Sequence, residues 1–167
     1  MIIKHKEQRV AVLIDVQNMY HSAKNLYGKK VSFSEILKLA VGERKLIRAF
    51  AYVVRTKTGE EKPFFEALSK LGIETRVRDL QEFYGGLKKA DWDVGITIDA
   101  VKTAPGVDSI VLVSGDGDFI QLVEYLKNQG KRAEVIVFGK SASSRLREIA
   151  DEFIDLGETP DKYLLKK

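Results

Sequence analysis

The chain has 167 residues, no cysteine and a formal net charge of +4. This length fits one domain, and the absence of cysteine excludes both a disulfide framework and a thiolate metal site. The longest apolar runs, such as residues 10–14, are far too short to span a bilayer, and the first ten residues lack the apolar core of a signal peptide. We therefore expect a soluble cytoplasmic protein, and the small positive excess gives weak support for a polyanionic partner.

Short apolar strands alternate with amphipathic helices along the chain. In order, the pattern predicts a strand at 9–15, a helix over 36–40, a strand at 45–54, a helix over 64–71, a strand at 73–80, a helix at 92–104, a strand at 109–113, a helix over 119–126, a strand at 132–139, a helix near 143–150 and a strand at 152–156. Residues 17–27 are predicted as a loop or a short helix, residues 82–91 as a Gly-rich basic loop, and residues 157–167 as a peripheral tail. The spacing of Ser32 and Glu35 is that of a capping box, which marks one helix start.

This alternation predicts an α/β fold built from βαβ units, in which helices cover both faces of a parallel sheet. No internal repeat, low-complexity tract or linker interrupts the pattern. We therefore predict a single domain over residues 1–167, with a core at about 8–156. In open sheets of this kind, ligands bind at the carboxyl ends of the strands.

Carboxylates follow two of the predicted strands directly. Asp15 ends the first strand, and Asp116 and Asp118 come just after residues 109–113. Like charges that converge at one sheet edge repel each other, and burying a charge is costly unless it is paired or bound to metal. Because Mg²⁺ and Mn²⁺ prefer carboxylate and water oxygens, this pattern favours a divalent metal site. Asn18 is placed to add a neutral oxygen or to orient a water.

Each of these acids also has an ordinary structural explanation, and the sequence leaves the two explanations open. Asp116 or Asp118 is suited to cap the helix that begins near Phe119, a common use of aspartate. Asp15 is equally suited to a turn, where its side chain would bond to the backbone.

A second acidic segment leads into the predicted helix at 92–104. Asp91 and Asp93 suit its first turn, where carboxylates complement the helix dipole. Asp99 lies six residues after Asp93, which on an ideal helix is a different face. Asp99 is therefore expected beside the site or in solvent rather than as a direct ligand.

Motifs of other catalytic classes are absent from the sequence. His5 and His21 are not spaced as metal ligands, and there is no Ser-His-Asp arrangement or G-x-S-x-G elbow. There is no Walker A motif, and no G-x-G-x-x-G sequence opens a helix. A phosphatase of the haloacid-dehalogenase type would need a second acid two residues after Asp15, where Gln17 stands.

Three segments match motifs that occur together in one protein family. They are VLIDVQNMY, KKADWDVGITIDA and IVLVSGDGDFIQLVEYLKNQGKRAEVIVFG, and the ending SSRLREIADEFIDL agrees with them. In order and spacing they resemble the NYN domain, in its LabA-like branch, which belongs to the PIN-like nuclease superfamily. The resemblance covers roughly residues 8–156 and rests most on the SGDGDF block.

The resemblance implies a three-layer α/β/α sandwich with a mostly parallel, Rossmann-like central sheet, and a ribonuclease site that binds Mg²⁺ or Mn²⁺ and acts on RNA. By matching motif, the implied residues are the catalytic and metal-binding acids Asp15, Asp93, Asp116 and Asp118, the weaker metal ligand Asp99, the catalytic Asn18 beside them, and the substrate-binding residues Lys88, Lys89 and Ser114. The gap between Lys89 and Asp93 is slightly longer than the family's usual one, so either lysine is a candidate for the basic position.

Contacts with RNA can be predicted less firmly than the acids. Arg76, Arg78 and Lys102 are candidates for phosphate contacts, and Tyr84 and Trp92 for stacking on unpaired bases. The alternative function is an RNA-binding adaptor with the same fold and little or no cleavage. The acids disfavour that alternative because carboxylates repel RNA phosphates, and the sequence leaves a homo-oligomer open.

Overall fold

The computed structural model describes residues 3–82, 88–89 and 91–166 of the chain. The strands of this part are β1 Arg9–Asp15, β2 Lys45–Arg55, β3 Glu74–Asp79, β4 Gln81–Glu82, β5 Lys88–Lys89, β6 Ser109–Val113, β7 Arg132–Val137 and β8 Glu152–Asp155. Its α-helices are α1 Val16–Tyr27, α2 Phe33–Val41, α3 Lys62–Lys70, α4 Asp93–Thr103, α5 Ile120–Asn128, α6 Ser144–Ile149 and α7 Pro160–Tyr163. Within the described ranges, no helix combines the length and the apolar character needed to cross a membrane.

Six parallel strands form the central sheet in the order β3-β2-β1-β6-β7-β8, and β4 and β5 pair antiparallel outside it. The chain runs outward from β1 through β2 to β3, then returns along α4 to begin β6 on the other side of β1. Because strand-helix-strand crossovers are right-handed, the helices of the two halves cover opposite faces of the sheet. Contacts of α4 with α5 agree with this placement, and the expected three-layer α/β/α fold is confirmed.

The central position of β1 explains its apolar sequence. Residues 10–14 are all completely shielded from solvent, as expected for a parallel strand that is covered on both faces. Phe50, Phe119 and Phe138 are fully buried in the same hydrophobic core, and burying each of them stabilises the fold by roughly 1.5–3 kcal/mol. The direction of the strand order reverses between β1 and β6, and in open α/β sheets a crevice for ligands lies at the carboxyl ends of such a pair.

Two segments are defined more closely by the structure than by the sequence. The segment after β1, which was predicted as a loop or a short helix, is the 12-residue helix α1. The helix predicted at 92–104 is present as α4, but the side chains that it buries are Ile96 and Ala100. Val94 and Ile98, whose helical spacing supported the prediction, are 70% and 52% exposed. That apolar stripe therefore points away from the core.

The C-terminal tail is not peripheral, contrary to the prediction. Tyr163 and Leu164 are buried, and α7 packs against α2. The Ser32 N–H donates to the Tyr163 carbonyl at 2.8 Å, and the Leu165 N–H donates to the Lys30 carbonyl at 2.7 Å. A four-residue helix is too short to show a periodic pattern, which is why the sequence did not indicate this packing.

A buried ion pair lies at the amino-terminal edge of the sheet, opposite the crevice. Glu134 in β7 is almost completely buried. It accepts Nη1 and Nη2 of Arg44 at 2.6 and 2.9 Å and the Ser109 hydroxyl at 2.5 Å. Burial alone would raise the pKa of Glu134, but the hydrogen bonds from Arg44 and Ser109 outweigh it and lower the pKa. The carboxylate stays ionised and joins β6 and β7 to the turn before β2.

We expect Arg44→Met to reduce the free energy of unfolding by about 3–5 kcal/mol, because it removes two charged hydrogen bonds to the buried Glu134. Among the described residues, Glu134 then keeps the Ser109 hydroxyl, Arg132 and the weaker contact with Lys4. Urea unfolding of the variant measures the loss. Arg48→Met is the matched control, since Arg48 also binds a glutamate, Glu74, through two nitrogens at 2.9 and 2.8 Å. That pair is nearly half-exposed and should contribute no more than about 1 kcal/mol. Equal losses in the two variants would contradict the account.

Candidate metal centre

Asp15 is a buried acid at the end of β1. It is 8% exposed, and it is also the N-cap of α1. Its Oδ1 accepts the Asn18 N–H at 3.3 Å and its Oδ2 accepts the Ser114 hydroxyl at 3.0 Å. Burial raises the pKa of Asp15 to about 6 although these hydrogen bonds oppose the rise. Among the described residues, Asp15 therefore has neutral hydrogen-bond partners only, and they do not balance its charge.

Ser114 and Asn18 tie the ends of β1 and β6 together. The Ser114 hydroxyl, which donates to Asp15, also accepts the Asp116 N–H at 3.2 Å. The Asn18 Oδ1 accepts the Gly115 N–H at 3.0 Å. A side chain at Gly115 would not fit, because a Cβ there would lie 2.9 Å from a backbone carbonyl oxygen. The loop after β6 is thus held in one position against α1.

Asp116 begins a single 3₁₀ turn, Gly117–Phe119, that leads into α5. Its Oδ1 accepts the Asp118 N–H at 2.9 Å, so the acid caps the turn. One oxygen is enough for the cap, which leaves the other able to bind a cation. Asp118 is exposed, and its side chain contributes to the raised pKa of Asp93.

Asp93 reaches the crevice from the first turn of α4. Its N–H donates to Asp91 Oδ1 at 3.1 Å. The preceding Trp92 fixes this approach, because its Nε1 donates to the Val53 carbonyl at 3.0 Å. The Arg78 guanidinium covers the Trp92 ring at 4.2 Å from the ring centroid. Helix α4, which follows neither β1 nor β6 in the chain, thus places Asp93 at the carboxyl ends of these two strands.

Three acids that are distant in sequence converge in the crevice. Carboxylate oxygens of Asp15, Asp93 and Asp116 all lie within 4.8 Å of one another. The pKa of Asp93 is raised to about 7, chiefly by burial, and repulsion from Asp116 acts in the same direction on both Asp93 and Asp15. Among the side chains that the structure describes, no lysine or arginine pairs with any of the three.

This donor set fits a hard divalent cation. All of its donors are carboxylate oxygens, which are the ligands that Mg²⁺ and Mn²⁺ prefer. Soft metals prefer sulfur ligands instead. Burial is the main cause of the raised pKa of Asp15 and Asp93, and repulsion from Asp116 adds to it. A cation among the three acids would offset both effects, and no basic side chain in the described ranges does so. Asp93 and Asp116 are partly exposed, so water and a substrate phosphate have access. Asp15 and Asp116 are caps and also members of the cluster, which reconciles the two explanations that the sequence left open.

Asp99 does not join the converging acids. Its Oδ2 accepts the Tyr52 hydroxyl at 2.8 Å and lies 3.3 Å from Arg76 Nε. The second contact is ionic only, since Arg76 Nε makes no hydrogen bond within the described residues. Burial and the bond to Asp99 raise the pKa of Tyr52. The expectation that Asp99 is a weaker metal ligand is therefore not met, because six helical residues turn it away from the face of Asp93 and it joins α4 to β2.

The predicted substrate-binding residues have different outcomes. Ser114 is completely buried, so it cannot contact a substrate; its hydroxyl positions Asp15 instead. The backbone of Lys88 and Lys89 forms β5 and pairs with β4, but their side chains lie outside the described residues. Tyr84, a predicted stacking residue, lies outside them as well.

The other candidates for RNA contacts surround α4. Arg76 faces Asp99, and Arg78 donates to the Asp91 carbonyl at 2.5 Å while it covers Trp92. Trp92 is only partly exposed and packs against the core, which favours packing over base stacking. Lys102, in the last turn of α4, is exposed and stays a candidate for a phosphate contact.

Asp91 contributes to the site, whereas the sequence interpretation assigned it only to the start of a helix. It accepts the Asp93 N–H, and its charge contributes to the raised pKa of both Asp93 and Asp15. It is exposed and therefore faces the solvent side of the crevice. The signal that pointed to it was the pairing of two acids around Trp92, which the sequence also explains as an ordinary helix start.

The fold and this centre together define a Rossmann-like α/β protein with an acidic site at the point where its strand order reverses. The sequence matches the NYN domain family over residues 9–157, and the chain belongs to this family. The family is part of the PIN-like nuclease superfamily, so the comparison supports nuclease-type chemistry at the level of the family.

Relatives agree with this assignment along most of the chain. The low amplitude and bright protein LabA of Synechococcus elongatus is 29% identical over 161 residues, which cover 92% of this chain and 86% of LabA. An uncharacterized protein of Methanocaldococcus jannaschii is 28% identical over 156 residues; these cover 91% of this chain but only 57% of that protein. The crystal structure of a protein of unknown function from Vibrio parahaemolyticus is 32% identical, with a TM-score of 0.87, and the match covers 98% of this chain and all of that one. The resemblance to the LabA-like NYN domain is confirmed.

We expect Asp15→Asn to stabilise the metal-free protein at neutral pH. Because burial raises the pKa of Asp15 from 3.8 to about 6, the folded state binds this proton more tightly than the unfolded chain. The resulting stability is fully present below about pH 4 and is lost as the pH rises through about 6, by up to about 3 kcal/mol. Urea unfolding with a chelator at about pH 7.5 and about pH 4.5 should therefore show a gain for the variant only at the higher pH.

Asp108→Asn is the control, and its expected effect on the free energy of unfolding is opposite to that of Asp15→Asn. Hydrogen bonds from Arg9 lower the pKa of Asp108 to about 2, so its carboxylate contributes stability above the unfolded pKa and loses it as the pH falls through about 2. This variant should be less stable than the wild type at neutral pH. An equal effect of Asp15→Asn at both pH values would contradict the shifted pKa of Asp15.

Proposed function

We propose that the protein is a divalent-metal-dependent nuclease that hydrolyses phosphodiester bonds of RNA. The observation that carries the proposal is the convergence of Asp15, Asp93 and Asp116 without a basic partner among the described side chains. Such a site tolerates its own charge only when a cation joins it. Membership of a family within a nuclease superfamily supports the same chemistry.

The roles follow from where each residue lies. Asp15, Asp93 and Asp116 would hold Mg²⁺ or Mn²⁺, and the exposed Asp118 would extend the ligand set toward solvent. A bound cation would supply an activated water and would neutralise charge on the attacked phosphate and the leaving oxygen. Asn18 acts as a positioning residue, because it holds the loop that carries Asp116. No side chain has to act as a nucleophile in this scheme.

RNA is proposed as the substrate on the basis of the family and of the basic residues near α4. Arg76, Arg78 and Lys102 supply salt-dependent affinity for phosphates without choosing a base. The cytoplasm is the location that we propose for this activity. A binding adaptor is the second candidate, but no observation favours it over cleavage, because carboxylates at the centre of an RNA site weaken phosphate binding unless a cation is present.

Manganese should raise the melting temperature of the wild-type protein but not that of an Asp15→Asn, Asp116→Asn double variant. Binding to the folded state alone stabilises it by about 2.7 kcal/mol when the free metal is at 100 times its dissociation constant. For a chain of this size, that corresponds to a shift of roughly 5–10 °C. Differential scanning fluorimetry measures it, with Asp161→Asn, an exposed acid in α7, as the matched control. No shift in the wild type at millimolar metal would count against the site.

Asp116→Asn should reduce metal-dependent cleavage of RNA by about 100-fold or more, because it removes a ligand that also shapes the turn before α5. Labelled single-stranded and structured RNAs, incubated with Mn²⁺, Mg²⁺ or chelator and resolved on denaturing gels, provide the measurement. Asp161→Asn should cleave like the wild type. Identical products from wild type, variant and chelated samples would remove the nuclease proposal and favour the adaptor.

A further inference from the structure

An aromatic cavity of about 570 Å³ lies beside the acidic centre. Its lining begins with Val16 and Gln17, the two residues that directly follow Asp15, and continues along α1 and α3 at the carboxyl end of β2. Two of its rings, Tyr20 and Phe64, are 40% and 36% exposed. Exposed aromatic rings that line a concavity are suited to receive another flat, apolar group.

Lysines surround a second, adjacent cavity. It is lined by Lys29, Lys30 and Lys166, and it shares Lys30 and Leu165 with the aromatic cavity. All three lysines are exposed, and no carboxylate of the described part forms an ion pair with them. A row of unpaired positive charges beside exposed rings matches a ligand that is both aromatic and anionic along its backbone.

We infer that the aromatic cavity binds an unpaired base of single-stranded RNA whose phosphodiester lies at the acidic centre. Tyr20 and Phe64 stack on the base, and the three lysines contact phosphates farther along the strand. This inference rests on the proposed function, and it adds a preference for single-stranded over paired RNA. A paired base cannot enter the cavity without leaving its duplex.

Binding of two oligonucleotides with equal charge tests the inference. The first is a fluorescein-labelled single-stranded RNA of roughly twelve nucleotides; the second is an abasic ribose-phosphate strand of the same length. Anisotropy is measured with chelator, so that no cleavage occurs. Tyr20→Ala should weaken binding of the RNA by about fivefold or more, as loss of one stacked base predicts, and should leave the abasic strand unaffected.

Tyr125→Ala is the matched control, because Tyr125 is also a helical tyrosine, is 42% exposed and does not line the cavity. It should bind both strands like the wild type. Phe64→Ala should repeat the result of Tyr20→Ala, and thermal melting confirms that each variant folds. A triple Lys29→Gln, Lys30→Gln, Lys166→Gln variant should weaken both strands alike, because it removes phosphate contacts only.

Wild-type binding that does not distinguish RNA from the abasic strand, or Tyr20→Ala binding equal to that of Tyr125→Ala, would overturn the inference. Duplex RNA that competes as well as single-stranded RNA would also overturn it. The cleavage assay separates this outcome from failure of the proposed function. If the wild type cleaves RNA but Tyr20→Ala binds RNA as tightly as the wild type does, the base site is absent. If Tyr20→Ala weakens binding but the wild type does not cleave RNA, the protein is not a nuclease.

Discussion

The structure depends on two neighbouring parallel strands that end together at the reversal of the strand order. β1 ends in Asp15 and β6 leads into Ser114, and the hydrogen bond between their side chains joins the two ends. The bond from Gly115 to Asn18 adds a second tie from the same loop to α1. Because these contacts fix the loop after β6, Asp116 can approach Asp15 only in the arrangement that brings their charges together. The architecture therefore imposes an electrostatic cost that a bound cation would relieve.

The buried acids at the two ends of the sheet have pKa values that are shifted in opposite directions. At the amino-terminal edge, Glu134 receives Arg44 and Ser109, and its pKa is lowered. At the carboxyl edge, the donors to the buried Asp15 in the described part of the chain are all neutral, and its pKa is raised to about 6. Both are buried acids in one small fold, so the difference lies in the partners supplied. A buried acid that is paired with a cation joins parts of the fold, whereas a buried acid without a cationic partner is typical of a functional site.

Consecutive residues of the chain line the acidic crevice and the aromatic cavity. Asp15 contributes to the first, and Val16 and Gln17, the next two residues, line the second. A nuclease that acts on a single strand needs both a centre for the phosphate and a place for the base next to it. The proposed roles thus divide between neighbouring turns of α1: its N-cap Asp15 faces the acidic crevice, and its exposed Tyr20 faces the cavity.

Local sequence was enough to predict the six strands of the central sheet, most of the helices and the identity of the acids. It did not predict the short pair β4 and β5, because β5 lies within residues 82–91, which were predicted as a loop. β1 and β6 are apolar because both faces of a central parallel strand are buried, and that pattern is visible without any knowledge of the fold. Asp15 and Asp116 could be singled out because each follows such a strand directly. The packing of the tail was not predicted because α7 has one turn. The buried face of α4 could not be read from the sequence because its exposed side also carries apolar residues, Val94 and Ile98.

What the sequence alone determined, then, is which residues are apolar, where the chain alternates between strand and helix, and which acids end the strands. The motif resemblance already grouped Asp93 with Asp15 and Asp116. Only the tertiary structure showed that their oxygens lie within 4.8 Å of one another, that Asp99 pairs with Tyr52, and that the buried Ser114 donates to Asp15. The reason is physical: hydrophobic patterning is local, whereas the distance between two carboxylates depends on strand order, crossover handedness and the side chains that hold each loop. No spacing rule along the chain contains that information.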